Sequence, residues 1–333
     1  MTKKQNKVLT WLLSKPGYLK KGVQTAYVSY PELVSFDNFE KAFHEAKKVN
    51  KEISASGVKY IGHDSKKSKP LVINTGHKAL TAHYPYKGKY IILGCVHIPA
   101  HNYDFYKAFL SYLKDNKSEI SGLIIAGDFV DMMPLSNHDK GNISTVTLDY
   151  EYNEANVVLN EIEAILAPSI HKAYIWGNHE DRYNRYMRQV DNSKLGAALQ
   201  SPTEALNLLS RGYTVLEDWK KSYVTLGGYL DVLHGEFTNI HTAKKHLDTY
   251  RKSCLFFHTH RKQIYTEGHM GAFNCGSMGD FKNSAFGYAS RAMVDSWTNA
   301  FAVVNIDSDG YYHIDIPTWI NKKFIIGSKV YNH

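Results

Sequence analysis

Seven side chains with lone pairs to offer stand where short apolar runs of the chain stop: Cys95, His97, Asp128, Asn178, His234, His258 and His260. They are four imidazoles, a carboxylate, an amide and a thiol that could ionise. A mixed set of this kind suits transition metals rather than calcium. The groups suffice for two cations if the carboxylate bridges them. Taken singly, each has a plainer reading. Asp or Asn after a strand commonly caps the next helix, and a lone histidine there is more often hydrogen-bonded structure than a ligand. Five clusters in succession are much harder to explain as caps.

The elements that must position these groups can be read from the apolar pattern. Tyr90–Leu93 runs into Gly94-Cys95-Val96-His97, Leu123–Ala126 into Gly127-Asp128, and Ala173–Trp176 into Gly177-Asn178-His179-Glu180. Tyr229–Leu233 then runs into His234-Gly235, and Leu255–Phe257 into His258-Thr259-His260. Between them, helical spacing predicts helices over Tyr103–Leu113, Tyr150–Leu166, Glu180–Val190 and His241–Lys252. Strand and helix in alternation imply α/β layering around a buried sheet. In such sheets ligands gather beyond the carboxyl ends of the strands, where all five clusters fall.

Composition narrows the class. The chain has 333 residues, 43% hydrophobic and 22% charged, which excludes a disordered or collagen-like protein. No apolar stretch approaches the ~18 residues of a membrane-spanning helix, so no membrane partner is expected. Cys95, Cys254 and Cys275 cannot build a disulfide framework, which points to a reducing compartment and a cytosolic protein.

Charge is unevenly spread. Residues 1–90 hold 17 Lys, no Arg and 6 acids, a net +11, whereas 91–333 is net −3. A basic segment in front of a slightly acidic one is the pattern of a polyanion-binding module; a solvated lysine-rich surface is the alternative. Three short helical stretches fit residues 1–53: one around Val8–Leu13, one around Val23–Tyr30, and one after Ser35 with Phe36, Phe39, Phe43, Ala46 and Val49 on one face. Together they look like a helix-turn-helix module that would contact nucleic acid. Residues 54–88 read as a linker with a strand at Leu71–Asn74, and 89–333 as the main domain.

The five motifs together resemble the calcineurin-like metallophosphoesterases, over about residues 90–275. The family pattern is D-x-H, GD-x-x-D, GNH-[DE], a later His and a closing G-H-x-H. Here it reads Cys95-Val96-His97, Gly127-Asp128 with Asp131, Gly177-Asn178-His179-Glu180, His234-Gly235 and Phe257-His258-Thr259-His260. The strings VHIPAHN, GNHEDR, LHGE and FFHTHRK look most like the bacteriophage and prophage branch, some members of which carry a helix-turn-helix segment in front. For a phage protein the location would be the host cytosol.

The resemblance implies an αββα fold, a β-sandwich flanked by helices, and a phosphoester substrate. It implies two divalent transition metals (Mn, Zn or Fe), one held by Cys95, His97, Asp128 and His260 and the other by Asp128, Asn178, His234 and His258. Two cations ~3.5–4 Å apart can clamp the oxygens of an in-line phosphoryl displacement. His179 would face the substrate and help the leaving oxygen, and Arg182 would meet a phosphate oxygen or lie idle on the surface. Asp131 is expected as support or a helix cap, and Glu180 as a partner of His179.

Two positions depart from the family. Cys95 replaces its first Asp, and Phe257 replaces the Gly of the closing motif. Three readings of Cys95 stand: a thiolate ligand, a buried apolar residue that costs the site one metal, or a relic site used for binding. Cys275 is expected as packing, with a place in the wall of the same pocket as the alternative; the aromatics Phe281–Tyr288, Trp297 and Trp319 are expected as core or lid packing, with base stacking as the alternative.

Overall fold

A computed structural model describes residues 8, 12, 39–47, 80–137, 146–189 and 199–333. The chain divides into two compact units, Met1–Ser68 and Lys69–His333. In the first, residues 39–47 are helical, with Phe39, Ala42, Phe43 and Ala46 buried and Lys41 and Lys47 exposed, as the spacing predicts. Val8 and Leu12 of the first predicted stretch are helical and buried; the remainder of the helix-turn-helix expectation, and the Leu71–Asn74 strand, lie outside the described residues.

The second unit is four-layered. Its strands form two six-stranded sheets. In the first sheet, β2 (Gly88–Leu93), β3 (Ile120–Ala126), β4 (His171–Ile175) and β5 (Thr214–Leu216) run parallel. β11 (Ala302–Ile306) joins β2 antiparallel and carries β12 (Tyr312–Asp315) on its far edge. In the second, β7 (Leu230–Val232), β8 (Ser253–Phe256) and β10 (Met270–Cys275) are parallel. β6 (Tyr223–Leu226) and β9 (Lys262–Glu267) flank them antiparallel. β1 (Thr81–Tyr84) pairs with β6 within the stretch read as linker; Pro85 follows it directly and hides a strand of four residues. A small hairpin, β13 (Lys323–Ile326) with β14 (Lys329–Asn332), ends the chain.

Alternation along the strands explains the layers, because successive side chains face opposite sides. Ile91, Leu93, Leu123, Ile125 and Trp176 pack on helices α1 (Tyr103–Asn116) and α2 (Leu148–Ile165). Tyr90, Ile92, Ile124, Ala126 and Ile175 face the other sheet, meeting Val224, Val232, Leu255 and Phe257. Both faces are covered, so these strands read as continuous apolar runs. The far side of the second sheet is closed by Ala243 and Leu247, which lie on a later helix, Thr242–Tyr250. Two shorter helices, α3 (Asp181–Met187) and α4 (Pro202–Ala205), precede it, which makes it α5; α6 (Arg291–Asp295) comes last. The predicted helix after Glu180 is thus shorter than its pattern. Among the described residues no helix is long and apolar enough to cross a membrane.

Ile124 sits at the centre of the inter-sheet layer with no exposed surface. Ile124→Ala should therefore cost about 2–5 kcal/mol. Urea unfolding should show this as a lower midpoint at unchanged slope.

Candidate metal centre

The loops after β2, β3, β4, β7 and β8 meet at one end of the sandwich. The first two stay paired beyond the strand ends: Cys95 N donates to Gly127 O (2.9 Å) and His97 N to Asp128 O (2.9 Å). Phe257 N donates to His234 O (2.9 Å), which ties the β7 and β8 loops in the same way. Cys95, His97, Asp128, His258 and His260 all adopt positive φ, between 50° and 67°. For residues with a Cβ this conformation costs about 1–3 kcal/mol each, and it clusters at functional sites.

The Asp128 carboxylate lies at the centre. Its Oδ1 accepts from His179 N (2.9 Å). Its Oδ2 points inward, 3.3 Å from His234 Nε2 and 3.9 Å from both Cys95 Sγ and His179 Nε2. On one side His97 Nε2 faces His260 Nε2 at 3.0 Å. On the other, His234 Nε2 lies 3.0 Å from Asn178 Oδ1 and 3.2 Å from His258 Nδ1. All seven residues singled out by the motifs are thus brought together. Atoms of Cys95, His97 and His260, and of Cys95, Asp128 and His234, fall within 4.8 Å of one another, as do those of His97, Asp128 and His179.

The proton inventory tests whether a cation fits. His97 Nδ1 is held by Asp131 Oδ1 (3.0 Å), so its neutral ring leaves a lone pair on Nε2. His234 Nδ1 donates to Ala126 O (2.9 Å); burial opposes charge on this ring, but Asp128 outweighs it and favours the charged form. Asn178 Oδ1, His258 Nδ1 and Asp128 Oδ2 gather around His234 Nε2, and positive charge there, a proton on that ring or a bound cation, is what satisfies them. Electrostatics agree. Burial and neighbouring imidazoles hold His97 and His260 below the usual histidine range and His258 down to about 3, so these rings are neutral and ready to ligate. Burial opposes ionisation of Asp128, but His234 and His179 outweigh it and keep the carboxyl ionised. Cys95 differs: burial and then Asp128 push its thiol well up, so it would ionise only beside a cation. The donor set fits transition metals.

The supporting residues correct two expectations. Glu180 does not touch the His179 ring. Its buried carboxylate accepts from Asp128 N (2.9 Å), Gly177 N (2.8 Å), Phe129 N (2.8 Å), Val130 N (3.3 Å) and Tyr174 Oη (2.8 Å), which locks the β3 and β4 loops together. Arg182 is buried rather than idle on the surface; Nη1 donates to Asp131 O (2.8 Å) and Nη2 lies 3.2 Å from His179 Nε2. Asp131 orients His97 and lies 3.1 Å from His179 Nδ1. Phe257 fills the space that a Cβ on Gly94 would need, so its bulk is matched by that glycine. Cys275 belongs to the inter-sheet core.

Sequence reasoning missed two features. His246 is buried on α5, takes a bond from Glu236 N (3.3 Å) and so braces the turn after His234; a histidine inside a helix gives no signal of this. Trp219 lies 5.8 Å from the His258 ring and 6.1 Å from His234. The lid expectation has a geometric counterpart: Phe286 packs on His97 and His260 (5.3 and 5.8 Å), and Trp297 on His260 (4.6 Å).

Glu180→Gln replaces one acceptor oxygen by an amide that faces backbone N–H groups. The loss should be about 2–3 kcal/mol or more, read as a lower midpoint in thermal unfolding of protein stripped by a chelator, with Ile124 packing untouched.

The profile of the calcineurin-like phosphoesterases matches residues 88–290, well over half of the chain. Comparison with curated proteins finds no match. Among solved structures, wild-type Vps29 of Entamoeba histolytica, crystallised with zinc, is 12% identical and has a TM-score of 0.38, the match covering 71% of this chain and 96% of that one. Vacuolar protein sorting 29 of Cryptosporidium parvum is 10% identical with a TM-score of 0.41, covering 74% and 100%. A conserved protein of Streptococcus pneumoniae is 14% identical with a TM-score of 0.29, covering 70% and 90%. The family match, not these distant likenesses, decides the assignment: the chain belongs to the calcineurin-like phosphoesterase family.

Proposed function

We propose that the protein is a metal-dependent phosphoester hydrolase with two metal positions sharing Asp128. The observation behind this reading is the convergence of ligand-capable atoms, imidazole nitrogens and an amide oxygen, on both sides of Asp128 Oδ2. Cys95, His97 and His260 would complete one position; Asn178, His234 and His258 would complete the other. Divalent cations there would supply Lewis acidity toward the phosphoryl oxygens. The chain's own residues do the rest. Asp131 and the Ala126 carbonyl fix the tautomers of His97 and His234. Burial and the Arg182 cation oppose a proton on His179, but Asp128 and Asp131 outweigh them, so His179 is the side chain set to give a proton to the leaving oxygen. Phe286 and Trp297 keep water from the His97–His260 side. The lysine surplus of residues 1–90 favours a nucleic-acid partner.

A second reading, a non-catalytic binding or assembly protein with one metal position lost, is favoured by the protonated thiol of Cys95. Metal content separates the two. Elemental analysis of the purified protein should give two equivalents of transition metal per chain, and chelation should abolish hydrolysis of aryl phosphate esters. Asp128→Ala should lower turnover at least about 10²–10³-fold and empty both positions; full activity in that variant contradicts the shared carboxylate.

Cys95→Asp exchanges a soft ligand for a hard one and should move the preference from zinc toward manganese. An unchanged preference, read by metal-dependent rates, would put the thiol outside the metal's reach.

A further inference from the structure

The candidate centre has one covered side and one open side. Asn178 and His258 are half-buried and form part of the wall of a cleft of about 1120 Å³. Arg182, Arg185 and Arg188 line it from α3 and the residue after it, and Trp219, Lys220 and Lys221 line it from the turn between β5 and β6. Arg185 and Arg188, three residues or about 4.5 Å of rise apart, are the exposed pair, while Arg182 is buried against His179. The acids of the lining are Asp181, Glu217 and Asp218, so the five cations leave a positive surplus. Asp181 is shared by Arg185 and Arg188, at 3.7 Å from each.

Trp219 lines this cleft beside His258 and His234. Lys220 Nζ lies 5.2 Å from the centre of its ring. An aromatic face beside the reacting groups, with cations along the same cleft, is how proteins hold single-stranded nucleic acid without reading its sequence. Bases stack on the ring while basic side chains track the phosphates. A lone phosphate group would need neither the volume nor the length. A phosphopeptide would need pockets for apolar side chains, and the aliphatic residues in the lining are Leu80 and Leu135.

We infer that the substrate is single-stranded nucleic acid, with a base on Trp219 and the scissile phosphodiester at the Asn178–His258 edge. This deepens the hydrolase reading and rests on it. Water is the co-reactant: its oxygen bonds to phosphorus, the bond from phosphorus to the leaving sugar oxygen breaks, and one proton passes, net, from the water to that oxygen.

The test uses the full chain with Mn²⁺ and three substrates: a labelled twelve-nucleotide oligothymidylate, bis(p-nitrophenyl) phosphate and a phosphoserine peptide. The oligonucleotide should exceed the small diester in kcat/KM by at least about 100-fold, the sum of a stacked base and several phosphate contacts. Trp219→Ala should cut this selectivity at least about 10-fold, mainly through KM, and Trp219→Phe should restore most of it. Arg188→Glu should raise KM for the oligonucleotide and flatten its dependence on salt.

Equal rates on oligonucleotide and small diester, an unchanged selectivity in Trp219→Ala, or a preference for the phosphopeptide would each overturn the inference and leave the hydrolase reading standing. If no ester turns over, the hydrolase reading fails and the substrate inference falls with it. Weakened binding of the oligonucleotide by Trp219→Ala, measured by anisotropy, would then retain the cleft as a binding site alone.

Discussion

A carboxylate sealed from water must find donors for its lone pairs or lose its charge, and Glu180 finds five: four backbone N–H groups and the Tyr174 hydroxyl. Those N–H groups belong to the loop that presents Asp128 and to the glycine before Asn178. The same contact therefore sets the position of the Asp128 carboxylate and of the Asn178 amide. Gly177 is part of this arrangement, because a Cβ there would land on Asp128. Side chains that converge on a common point depend first on backbone held this tightly.

The opposing term is strain. Five of the gathered residues sit at positive φ, and imidazoles, a carboxylate and an amide are crowded together. Folding energy from the two apolar layers must outweigh this, and it is large: both faces of β2, β3 and β4 are covered. A cation would relieve the crowding and turn a local cost into stability, as binding to the folded form alone always does.

Much of this was legible in the sequence for a physical reason. The strands that carry the centre are buried on two faces, so they appear as unbroken apolar runs, and the polar clusters punctuate them at the carboxyl ends. Cys95, His97, Asp128, Asn178, His234, His258 and His260 could all be placed at strand ends, and they meet. Residues whose work is done through the backbone left no such trace. The motif marked Glu180 as a partner of His179, but nothing in the sequence shows that its side chain turns to the backbone of two loops. β1 and β6 are four residues each, too short to show a period. Trp219 lies in a turn between two short strands, and its place beside His258 follows from how the two sheets face each other.

Cys95 has no exposed surface, and its sulfur takes a bond from His258 N at 3.1 Å. Thiols are oxidised as exposed thiolates; this one is neither exposed nor, before a cation arrives, ionised. Peroxide in the surrounding medium would thus meet the imidazole side of the cluster, while the most easily damaged atom of the site stays reduced behind it. A cysteine in a position usually filled by a redox-inert carboxylate need not make the protein a sensor of oxidants.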